Sequence, residues 1–192
     1  MFSPKFAWTD YFSGSPATTL KSSQYTSRQT SSASSVYVFN CLFNKCTVTS
    51  GSGGALCCTS ASYLFVESSS FFSCKTSGGM GGAIYFYSLN ILQSVLYSVC
   101  GYDCCSTDIG SFAYILIKDT VSNMNCANYT SIARCVDDSS RAFETICLQY
   151  GKQTCPSNNI SLNKIYRYSA FYCYPTSDSN SVTGFLSYST FA

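Results

Sequence analysis

Histidine is absent from the 192 residues. That removes every mechanism needing an imidazole to shuttle a proton near neutrality, Ser-His-Asp and Cys-His alike, and every zinc site built on histidine. Charge is scarce too: Asp, Glu, Lys and Arg make up 10% of the chain and leave a net +2, against roughly 25% charged residues in ordinary soluble domains. There is no basic run. Nucleic-acid footprints and polybasic membrane patches both work through clustered Lys and Arg, so neither partner is expected. The opening Met1-Phe2-Ser3-Pro4-Lys5, followed by Trp8, Asp10 and a Ser/Thr tract, lacks the basic and continuous apolar regions of a signal peptide. The uncharged stretch from Ala83 to Cys100 is interrupted by Ser88, Asn90, Gln93, Ser94 and Ser98, so no transmembrane segment is expected. No window sustains helical periodicity.

What remains is apolar and hydroxyl-rich. The apolar fraction of 46% is that of a chain with a packed interior. The 13 cysteines are an odd number, so at least one is unpaired within the chain. Between Val38 and Phe86 one motif occurs twice. Phe43, Cys46 and Gly53-Gly54-Ala55-Leu56 are each answered 28 positions later by Phe71, Cys74 and Gly81-Gly82-Ala83-Ile84. A period of this size marks a solenoid, whose units are too thin to bury a core alone and must stack. Each period holds short β-branched and aromatic runs separated by Ser, Thr and Gly corners, which is strand chemistry. A third, degenerate copy follows, with Ala113-Tyr114 placed 30 residues after Ala83-Ile84.

The expected fold is all-β: a right-handed, single-stranded parallel β-helix of about seven or eight rungs, estimated from the period. Residues 1–35 read as a Ser/Thr-rich cap or leader and residues 36–192 as the β-helix, truncated at its C-terminus or docking there through an uncapped end. Val38, Phe43, Leu56, Leu64, Phe71, Ile84 and Ile115 are expected inside. Cys46 and Cys74, at one station of successive rungs, are expected to form a ladder, either reduced and buried or within disulfide range. The pairs Cys57-Cys58 and Cys104-Cys105 do not read as zinc knuckles, because successive strand residues point to opposite faces. Neither metal nor cofactor is expected.

The Phe-x-x-Cys and Gly-Gly-Ala-[Leu/Ile] runs resemble the repeats of chlamydial polymorphic outer-membrane proteins. They resemble still more the cysteine-rich, right-handed β-helix proteins of trichomonad parasites, because Cys46 and Cys74 stand where the chlamydial pattern has Asn. The stretches Ser157 to Asn163 and Ala170 to Thr176 are similar to the trichomonad group as well. The resemblance implies a surface, adhesin-like structural protein at the cell surface or outside it, with no catalytic residues to carry over.

Three functions follow for testing. The first is a non-enzymatic adhesin-like module engaging a protein or glycan on another cell surface, with Tyr85 and Tyr87 as the candidate binding face because they alternate with core residues. The second is a carbohydrate-active enzyme, which needs two carboxyls gathered from neighbouring rungs out of Asp103, Asp108, Asp119, Asp137, Asp138 and Glu144. The third is a cytoplasmic structural or assembly protein with reduced cysteines. Asn128-Tyr129-Thr130 and Asn159-Ile160-Ser161 are glycosylation sequons, meaningful only after secretion.

Overall fold

The computed structural model describes residues 7–88, 93–135, 143–164, 170–178, 182–187 and 189–191. The strands stack in parallel into a β-solenoid. Its first face is built from Thr18–Lys21, Ser35–Phe39, Tyr63–Glu67, Gln93–Tyr97, Met124–Asn128, Lys152–Pro156 and Gly184–Ser187. A second face of seven strands runs from Gln24–Tyr25 to Thr190–Phe191, and a third of six runs from Gln29–Ser31 to Phe171–Tyr174. A short opening turn and an incomplete last one flank five full turns, slightly fewer than the period suggested. Among the described residues, a two-residue fourth face is added on three rungs, at Thr47–Val48, Lys75–Thr76 and Cys105–Ser106.

The corners carry the repeat as much as the strands do. Between first and second faces, Ser22, Asn40, Ser68, Ser98, Tyr129 and Ser157 each take a left-handed conformation, with φ from 48° to 57°. After the second face, Lys45, Ser73, Asp103, Arg134 and Leu162 do the same. This conformation costs a non-glycine residue roughly 1–2 kcal/mol, and it persists because the strands on either side are locked by their ladders. The next residue then points inward. At the first corner it closes the backbone of the rung before: the Cys41 N–H donates to Ser69 Oγ at 3.1 Å, Thr130 N–H to Asn158 Oδ1 at 3.0 Å, and Asn158 Nδ2 to the Ala127 carbonyl at 2.7 Å.

All seven residues expected inside are fully buried. Phe43 and Phe71 stack in parallel at 4.6 Å between centroids, one rung above the other. The third full turn breaks the pattern. Register pairs Ile84 with Ala113 and Tyr85 with Tyr114, so the offset is 29, not 30, and Ala83 is matched by Phe112. On the same rung the Phe71 station is held by Gly101. Phe112 fills the space over Gly101 and meets Phe71 edge-on at 5.7 Å. The large side chain has moved from one wall of the lumen to the other.

The segment before the first strand lies on the side of the column. Trp8 and Phe12 pack over Phe65, Val95, Tyr97 and Cys126, which point outward from the first face, with Trp8 and Phe12 rings 4.6 Å apart. Residues 18–31 form the opening turn itself.

Candidate functional site: an aromatic and hydroxyl face beside a buried thiol column

Tyr85 and Tyr87 both project from the outer side of the third face and are half-buried. Their rings are parallel at 6.2 Å, and Tyr114 of the next rung stacks on Tyr85 at 5.6 Å. Burial, followed by the neighbouring Cys57 and Tyr87, raises the Tyr85 phenol above its ordinary value. Tyr85 thus stacks on Tyr87 along its own strand and on Tyr114 along the column, with Tyr114 nearly covered.

A more open aromatic pair stands on the second face. Phe72 and Tyr102 occupy the same station of successive rungs, are 39% and 41% exposed, and lie 6.4 Å apart. Phe72 borders a shallow groove of about 430 Å³ whose other walls are Ser22, Ser23, Gln24, Asn40, Cys41, Leu42, Ser68 and Ser70. No charged residue lines it. The groove follows from the corner geometry: the left-handed Ser22, Asn40 and Ser68 stack in a row, so their short polar side chains form a strip beside the second face. Tyr102 is flanked by Arg134, whose Cζ is 6.0 Å from the ring centre, and by Asp103, which accepts from Ser73 Oγ at 2.7 Å and pairs with Lys75 at 3.3 Å. Sequence reasoning passed over this face because its hydroxyl residues look like those of any corner. The available signal was the alternation of Phe72 with inward-pointing Phe71.

Among the candidate carboxylates, Asp103 is engaged with Lys75, Asp119 is exposed, and Asp137 and Asp138 lie outside the described residues. Asp108 and Glu144, from successive rungs, do sense one another. Glu144 is buried, one carboxyl oxygen has no hydrogen-bond partner, and burial, followed by the Asp108 charge, raises its pKa from 4.5 to about 6. A raised folded-state pKa favours the protonated acid. Its stabilising contribution is therefore complete below the unfolded value and is lost as pH rises through about 6. Glu144→Gln, which keeps the shape of the protonated form, should be more stable than the parent at neutral pH by about 1 kcal/mol, discounted for partial solvent screening. Chemical denaturation across the acid range checks this: the two proteins should converge in acid, and a constant gap would refute the assignment.

Cys46, Cys74, Cys104 and Cys135 occupy one station of successive rungs, all four buried. Lys75 N–H donates to the Cys46 carbonyl at 2.8 Å and Cys105 N–H to that of Cys74 at 3.1 Å, so the backbones are in register at this station. Three of the thiols reach back to the rung before, Cys46 to the Tyr25 carbonyl at 3.4 Å, Cys74 to that of Phe43 at 3.6 Å and Cys104 to that of Phe71 at 3.5 Å, while Cys135 donates to the Ala133 carbonyl of its own rung at 3.4 Å. Burial, then the Cys74 neighbour, pushes the Cys46 thiol up to about 12. The Cys104 thiol, followed by burial, raises Cys74, and burial followed by Cys135 raises Cys104. The column ends at Asn163, whose Oδ1 accepts from Cys135 N–H at 2.7 Å and whose Nδ2 donates to the Ile132 carbonyl at 3.1 Å. All 13 cysteines are thiols in this structure. Among the described residues no three Cys, Asp or Glu side chains converge as metal ligands, and no helix is long and apolar enough to cross a membrane.

No family model matches the chain, and comparison with curated proteins and with solved structures gives no match.

Proposed function

We propose that this chain is a non-enzymatic, surface-exposed, adhesin-like module that uses the second face of its solenoid to bind a glycan or a protein on another cell. The observation that carries the reading is the pair of outward aromatic rings, Phe72 and Tyr102, beside an uncharged groove of hydroxyl and amide side chains. Aromatic rings supply apolar platforms for sugar faces or for protein side chains, and the flanking hydroxyls supply orientation-setting hydrogen bonds. The backbone beneath is held in register by ladders on both sides, so little ordering accompanies binding. Tyr85 and Tyr87 remain a second candidate surface, weaker because the rings are half-buried against each other. The resemblance to cysteine-rich trichomonad repeat proteins agrees with this reading.

The test is binding of the purified chain to a glycan array and to intact cells, with Phe72→Ala/Tyr102→Ala alongside. The double variant should lose at least tenfold in affinity while its thermal unfolding stays close to the parent, since both rings are substantially exposed. Undiminished binding by the variant would remove the second face from the proposal, and absence of any binding by the parent would sink it. A carbohydrate-active alternative is supported by one observation, the Asp108–Glu144 proximity with Glu144 raised to about 6. It requires polysaccharide cleavage that Glu144→Gln abolishes.

A further inference from the structure

We propose that the column Cys46, Cys74, Cys104 and Cys135 is a site of oxidative cross-linking between rungs, with one complete pairing: Cys46 to Cys74 and Cys104 to Cys135. The geometry is that of stacked strands, about 4.8 Å apart. That separation lies inside the roughly 4.4–6.8 Å between Cα atoms that a disulfide spans. In-register hydrogen bonds at Lys75 and Cys105 fix the first three cysteines directly above one another, and Cys104 N–H reaches Cys135 Sγ at 3.4 Å. Sulfur neighbours sulfur along the whole column.

The column is also closed at both ends. Below Cys46 the nearest group is the Tyr25 carbonyl, and above Cys135 stands the Asn163 amide. Four thiols in a line bounded by non-sulfur groups can be fully consumed only as two end-to-end pairs. A central Cys74–Cys104 bond would strand a thiol at each end. Each bond forms as two thiols give up two protons and two electrons to a small-molecule disulfide such as oxidised glutathione, through a mixed disulfide, which leaves as two reduced thiols. Burial holds Cys46 and Cys104 in the thiol form, so exchange in the folded column is slow and pairing belongs to folding.

The experiment refolds the full chain from denaturant in a mixture of reduced and oxidised glutathione, alkylates remaining thiols, and maps the unreduced digest by mass spectrometry. Two linked peptides are expected, joining Cys46 with Cys74 and Cys104 with Cys135, with all four positions unalkylated. Alkylated or glutathione-capped column cysteines, links from the column to other cysteines, or a Cys74–Cys104 link would each overturn the proposal. Cys135→Asn provides a second arm that should fold, because Asn163 already holds that station one rung on. It should keep the Cys46–Cys74 link and leave Cys104 fully alkylated. A Cys74–Cys104 link in that variant would show that pairing is not fixed by the column's ends.

Discussion

Phe112→Ala is expected to cost about 3–5 kcal/mol, the usual range for emptying a buried aromatic site, and Gly101→Phe in the same chain should return most of it. The stations make this a specific claim. On the rungs bearing Phe43 and Phe71, the aromatic ring comes from the second face and a small residue, Ala55 or Ala83, faces it from the approach to the third. On the following rung the assignment is exchanged, with Gly101 on the second face and Phe112 opposite. A side-chain carbon added at Gly101 would meet the Phe112 ring and, at 2.7 Å, Ile132 Cδ1. Gly101→Phe alone therefore overpacks the lumen, at about 1–3 kcal/mol or more. Gly101 sits within Cys100–Tyr102, paired to both neighbours, and its φ is not in the left-handed region, so its backbone accepts a side chain once the space is free. Combining the two changes restores the arrangement of the earlier rungs. Urea denaturation of parent, single and double variants measures the coupling, which should exceed 2 kcal/mol, as residues sharing one space can show. Additive losses would mean that the rung cannot take its ring from the second face.

That exchange also shows where the sequence stops being legible. The 28-residue offset between Phe43-x-x-Cys46 and Phe71-x-x-Cys74 was readable because both positions keep their residue type. The parallel solenoid and its buried positions followed from it. Cys104 and Cys135 stand at the same station, but the residue three places before them is Gly101 or Ile132, so a search for the aromatic misses them. The one-residue error in the third copy has the same origin: Ala113 was matched to Ala83 by type, whereas Phe112 fills that station. Nor does composition separate the Ser-rich strip beside Phe72 from any other corner. The left-handed residues there are mostly Ser and Asn, which occur throughout the chain, and only the stacking reveals that they share a row. That Trp8, Tyr11 and Phe12 cover the outer side of the first face depends on Phe65, Val95 and Tyr97 pointing out, which pattern alone does not decide for a run buried on both sides.

The double glycine of the repeat leads to the other large expected effect. Gly53, Gly81 and Gly110 are the left-handed members, with φ of +72°, +65° and +71°. The second glycine has a different reason to exist. A side-chain carbon on Gly82 would run into the backbone carbonyls of Ser111 and Cys105 on the next rung; on Gly54 it would meet Gly82 and, at 2.7 Å, the Lys75 carbonyl. Lys75 and Cys105 open the fourth-face strands of those next rungs. On the rung after Gly82 the station holds Ser111 instead of glycine, its N–H donating to the Glu144 carbonyl at 2.7 Å. Glycine is thus required at Gly54 and Gly82, where carbonyls of the following rung occupy the space a side chain would need. Gly82→Ala should cost about 3 kcal/mol, the upper end of overpacking, because the obstruction is backbone on two sides and cannot rotate away. Gly14→Ala is the contrasting case. Gly14 has φ +74° and nothing within 4 Å of an added carbon, so only the left-handed strain remains, about 1 kcal/mol. Thermal unfolding of the two variants should separate them clearly, and a Gly82→Ala loss no larger than that of Gly14→Ala would mean that the carbonyls of the neighbouring rung do not select the second glycine.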